Sequence, residues 1–214
     1  MTKETKMRNL LKVIPLGLLA IVAGCTIYSI NPFCSKDKIV ALKEVNGSWK
    51  LNVTAGEDIS NKDITPWEIM DNTLITYDRN DKKSDFNIVF FKLKDQLFAD
   101  VIGKSAQNNE YWNMTVLPMH ILFKVEISGE RLTFIPLNLA WFNKAGNEKV
   151  KALKCAAYEG NNQMKIYTSS PEEWESFLEK NLSNPELFND KQKFVLRIIA
   201  AALSENTVPE VTNK

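Results

Sequence analysis

Between residues 121 and 135 apolar side chains fall on every second position, and that period limits what the chain can become. Ile121, Phe123, Val125 and Ile127 share one parity, while Leu122, Lys124 and Glu126 share the other, as in a strand with one buried face. Ser128-Gly129-Glu130 is a turn signal, and Arg131-Leu132-Thr133-Phe134-Ile135 resumes the apolar pattern, so the segment reads as a β-hairpin with Leu132 and Phe134 turned inward. The same period recurs along the chain. Trp49, Leu51 and Val53 alternate with Ser48, Lys50 and Asn52; residues 67–70 and 73–77 flank the turn pair Asp71-Asn72; residues 86–93 and 97–102 flank Asp95-Gln96. Residues 153–157 and 164–168 flank Gly160-Asn161-Asn162, and residues 194–199 form a last β-rich run. Successive hairpins without a βα rhythm point to an antiparallel meander, and closure is what removes its exposed edges. The expected fold class is mainly β: an antiparallel up-and-down β-barrel of about eight strands.

Two segments break this pattern in informative ways. In residues 86–93 the apolar side changes, with Phe86, Ile88 and Phe90 on one parity and Val89, Phe91 and Leu93 on the other. Either both faces are covered there or a β-bulge resets the alternation. Ser170-Pro171-Glu172-Glu173 is a capping box with proline at the first helical position, followed by Trp174, Phe177 and Leu178 on one stripe. This predicts one late α-helix packed on the barrel.

The N-terminus carries a different signal. Lys3, Lys6, Arg8 and Lys12 precede an uncharged apolar run over residues 13–23 that stops at Ala23-Gly24-Cys25. A helix crossing a hydrocarbon core of about 30 Å needs roughly 20 apolar residues, so this run reads as a cleaved secretory signal helix and not a span. Val22-Ala23-Gly24-Cys25 resembles the lipobox of bacterial lipoproteins, with valine in place of the commoner leucine. That resemblance implies cleavage after Gly24, diacylglycerol on the Cys25 thiol, and a lipid-anchored place in the bacterial cell envelope, on a periplasmic or extracellular face. The expected organisation is a signal over residues 1–24, a polar tether over 25–38, a barrel domain over 39–203 and a disordered tail over 204–214.

Without residues 1–24 the chain has 190 residues, enough for one domain with a real core. The signal holds four of the 27 basic and one of the 26 acidic residues, leaving a net charge of −2. No overall basic surplus points to nucleic acid or to anionic lipid. If Cys25 carries lipid, Cys34 and Cys155 remain; outside the cytoplasm they can pair as a disulfide, the alternative being two unrelated thiols.

Gly47-Ser48-Trp49, at the start of the first strand, resembles the G-x-W motif of lipocalin and calycin barrels. In that family the tryptophan crosses the closed end of the barrel under an arginine from the last strand, which assigns a barrel-closing pair to Trp49 and Arg197. Over residues 117–197, including Leu117-Pro118-Met119-His120 and Pro136-Leu137-Asn138-Leu139-Ala140-Trp141, the chain is similar to a group of poorly characterised bacterial lipocalin-like lipoproteins. The resemblance implies a small apolar or amphipathic ligand inside the barrel. Phe90, Phe98, Phe123 and Phe134 are the candidate cavity residues, with Tyr111 and Trp112 at the rim. The alternative is a barrel filled by its own side chains whose outer surface meets an envelope partner of unknown identity.

Catalytic signals are sparse. His120 is the only histidine, which excludes a multi-histidine metal site, and no nucleophile motif or phosphate loop accompanies it. The chain is read as a non-enzyme with no metal and no cofactor, and His120 as structural.

Overall fold

The computed structural model describes residues 26–52, 66–77, 83–104, 118–144, 148–157 and 165–201. The expected signal, Cys25, Tyr111, Trp112 and residues 204–214 lie outside them.

In chain order the strands are β1 (Tyr28–Ser29), β2 (Gly47–Asn52), β3 (Trp67–Met70), β4 (Thr73–Tyr77), β5 (Lys83–Leu93), β6 (Gln96–Gly103), β7 (His120–Ser128), β8 (Arg131–Pro136), β9 (Cys155–Ala157), β10 (Lys165–Tyr167) and β11 (Phe194–Ala201). Among the described residues two α-helices, α1 (Leu139–Asn143) and α2 (Pro171–Asn181), lie between β8 and β11. Eight strands run in the order β6-β5-β4-β3-β2-β11-β8-β7, and β6 pairs with β7 to close them into an antiparallel barrel. Closure leaves none of these strands as a free edge.

Turn chemistry sets the hairpins. Asp71 and Asn72 both take positive φ (45° and 63°), which the two-residue turn between β3 and β4 requires and which short polar side chains tolerate. Gly129 (φ 55°) is the first central residue of the turn from Ser128 to Arg131. The turn joining β5 to β6 is Lys94–Asp95, one residue earlier than Asp95-Gln96, because Leu93 pairs with Gln96. These three tight turns stand at one end of the barrel.

Residues 86–93 have apolar groups on both parities because both faces are covered. The β5–β6 register is unbroken from Phe86↔Gly103 to Leu93↔Gln96, so no bulge resets it. Ile88 and Phe90 point into the barrel, while Phe91 and Leu93 join a second core outside it. That outer core includes Leu122, Phe98, Trp141, Phe142 and Tyr167, and α2 adds Trp174, Phe177 and Leu178. The predicted capping box starts α2: Glu173 N–H donates to Ser170 Oγ (3.3 Å) and Ser170 N–H donates to Glu173 Oε2 (2.9 Å).

The expected tether over residues 25–38 is corrected from Thr26 onward. Ile27, Phe33 and Cys34 are buried, and β1 lies antiparallel to β7 and parallel to β10. The sheet has room for β1 there because β8 stops at Pro136, opposite Phe123, so His120 and Ile121 take Ser29 and Tyr28 as partners instead. Further bonds stitch the strap down: Ile30 N–H to Tyr167 O (3.0 Å), Val40 N–H to Phe90 O (2.9 Å), and Trp174 Nε1–H to Ser29 Oγ (3.2 Å). Polarity and Pro32 suggested a tether, yet the two apolar anchors Ile27 and Phe33 decide the outcome by burial.

Candidate functional site

The barrel interior was the expected site, and aromatic rings occupy it. Phe123 on β7 meets Phe134 on β8 edge-on (centroids 5.8 Å apart) and Phe194 on β11 (6.2 Å), and Phe194 meets Trp67 on β3 (5.9 Å). In the strand order β3 and β7 stand on opposite walls, so Trp67, Phe194 and Phe123 form a bridge of rings across the lumen. Trp67 and Phe194 begin their strands at the end opposite the three tight turns, which places the bridge on that side. The rings are at most 7% exposed. Among the described residues the inward side chains of the barrel are buried against one another.

Of the expected cavity residues, Phe90, Phe123 and Phe134 do face inward. Phe98 does not: its side chain belongs to the outer core, stacked on Phe91 at 5.2 Å, because its strand neighbour Ala99 takes the inward parity. Ile127 likewise fails to enter the core and is 40% exposed, since it lies where β7 approaches its turn.

Trp49 is buried in the barrel, with Nε1–H donating to Val45 O at 2.9 Å. The expected cover by Arg197 is corrected. Ile198 is the register partner of Trp49, which turns Arg197 to the outer face opposite Lys50, and there it is exposed.

The expected Cys34–Cys155 disulfide is also corrected, since both are free thiols. Cys34 faces the outer core under the strap, whereas Cys155 is exposed on β9, the last strand of the sheet. Burial, and then the negative charge of Asp100, pushes the Cys34 thiol up to about 12. The folded protein therefore opposes thiolate formation at Cys34. Stability is expected to fall as pH rises through about 9, where the unfolded thiol ionises, and a Cys34→Ala variant should lack that part of the slope in urea melts followed between pH 8 and 10.5. At pH 8 a maleimide reagent should modify Cys155 and spare Cys34 until the chain unfolds.

The chain also builds a polar site that the sequence did not announce. Asp100 on β6 is 4% exposed; its Oδ1 and Oδ2 lie 2.8 and 3.0 Å from His120 Nδ1, and Oδ2 accepts from Phe33 N–H at 3.1 Å. A proton on Nδ1 donated to the carboxylate leaves Nε2 as an acceptor in the neutral ring. The available signal was a single acid in the apolar strand from Leu97 to Ile102 together with the only histidine, but nothing in the spacing pairs residues 20 apart. Among the described residues no hydroxyl or thiol is hydrogen-bonded to the His120 ring. Ser29, opposite His120, is fully buried, and its Oγ already accepts from Trp174 Nε1–H and Asn31 N–H. The dyad clasps the strap to the barrel: Asp100 accepts from the Phe33 amide, and His120 Nδ1 holds the Asp100 carboxylate. Among the described residues no three His, Cys, Asp or Glu side chains converge in a way that could hold a metal ion.

In comparisons with known proteins, the chain matches no family model, no curated protein and no solved structure. The molecule is defined by its own geometry, a closed eight-stranded antiparallel β-barrel with a second core under α2.

Proposed function

We propose that this protein is a lipid-anchored lipoprotein of the bacterial envelope whose lipocalin-like barrel is a filled scaffold presenting its outer surface to a partner. The observation that carries the reading is the ring bridge Trp67–Phe194–Phe123–Phe134. Filled by these side chains, the barrel offers a rigid body and a large outer face. A ligand-carrying barrel is the alternative, and it requires several of these rings to leave their positions.

Anchoring rests on the lipobox-like run ending at Cys25. Because the chain is packed from Thr26 onward, a lipid on Cys25 holds the domain directly at the bilayer with no spacer. Two or three acyl chains make such an anchor durable, where one is marginal. Metabolic labelling with a fatty-acid analogue should mark the wild type and not Cys25→Ser. Equal labelling of the two proteins would remove the anchor from this account.

A further inference from the structure

On the outer face of the barrel three cations stand side by side on adjacent strands. Arg197 on β11 is the register partner of Lys50 on β2 and of Arg131 on β8, and all three are exposed. None of the three makes an ion pair or side-chain hydrogen bond among the described residues, although ion pairs do form elsewhere on the surface, such as Lys124–Glu126 at 2.8 Å. The nearest acids by register, Glu68 on β3 and Glu126 on β7, stand diagonally from Lys50 and from Arg131, and Glu126 is already paired with Lys124. Like charges placed directly opposite on a sheet repel. Folding alone gives no reason for this row, whereas an anionic occupant would make it favourable. Ile199, 55% exposed at the β11 bulge just beyond Arg197, adds an apolar contact to the patch.

We infer that this face binds an acidic segment of a partner protein. The inference rests on the platform reading and supplies its partner chemistry. Strands about 4.8 Å apart spread the three charges over roughly 10 Å, and carboxylates on alternate residues of an extended segment lie about 6.6 Å apart, so two can reach the row together. The strands β2, β11 and β8 are paired on both sides, so the segment is held by side chains and not by strand addition. The row runs around the convex barrel wall, which a flexible segment can follow. Arginine beside an apolar residue is the composition that protein interfaces favour.

The test uses a fluorescent eight-residue peptide alternating glutamate with threonine, titrated into the full chain at low salt and followed by anisotropy. The peptide is expected to bind, and K50Q/R131Q/R197Q to weaken it at least tenfold, with K191Q/K193Q, off the row, unchanged. All substituted side chains are exposed, so thermal melts should show the variants folded. Absence of wild-type binding, or equal weakening by both variants, would overturn the inference. Row-dependent binding of phosphatidylglycerol vesicles in place of the peptide would also overturn it and assign the face to lipid. Binding of a fatty acid inside the barrel, by contrast, would defeat the platform reading whatever the peptide does.

Discussion

Trp174→Ala is expected to destabilise the protein by about 4 kcal/mol, the range for truncating a fully buried tryptophan. Trp174 is the centre of the outer core: it is 0% exposed and meets Phe33 at 4.7 Å, Tyr167 at 5.4 Å and Phe177 at 5.8 Å. Its Nε1–H also donates to Ser29 Oγ, so the variant loosens the strap together with the helix. Chemical denaturation followed by circular dichroism measures the loss. Trp174→Phe, which keeps an aromatic ring but drops the hydrogen bond, should cost substantially less. A loss below about 1 kcal/mol for the alanine variant would mean that the outer core is not needed for the fold, since effects this small are ordinary for exposed positions.

The second large effect is expected at Phe123, where alanine should cost about 3 to 4 kcal/mol and leave a void in the middle of the ring bridge. Phe123 touches both Phe134 and Phe194, so its removal withdraws two edge-to-face contacts as well as buried area. An apolar void of that kind stays dry and takes up a small apolar molecule such as benzene. The melting temperature of Phe123→Ala should therefore rise when benzene is added, and that of the wild type should not. An identical rise in the wild type would show that the barrel already contains such a space.

Much of the barrel is legible in the sequence because period-2 alternation and turn residues are local. The hairpin from Ile121 to Ile135, the inward parity of Leu132 and Phe134, and the capping box at Ser170 all follow from spacing, and each is found. What the sequence withholds is long-range. Phe98 and Phe123 look equivalent as strand phenylalanines, and only the outer core under α2 explains why Phe98 lies outside the barrel. Arg197 has the right strand for a cover over Trp49 and the wrong parity, which the β11–β2 register decides. The strap over residues 26–39 reads as polar tether because its bonds go to elements far along the chain, among them Tyr167, Asp100 and Glu175. The Asp100–His120 clasp is hidden for the same reason, since two strands must first pair to bring it together. The cation row is more hidden still, because its three members lie on three separate segments.

The central claim is that the barrel is filled by its own side chains, and one titration tests it most directly. Cys25→Ser protein, free of covalent lipid, is titrated with a fluorescent fatty acid while tryptophan emission is followed. No saturable binding and no quenching are expected, because Trp49 and Trp67 are packed against neighbouring core side chains. Saturable one-to-one binding that quenches the buried tryptophans would contradict it and show that the barrel carries a ligand.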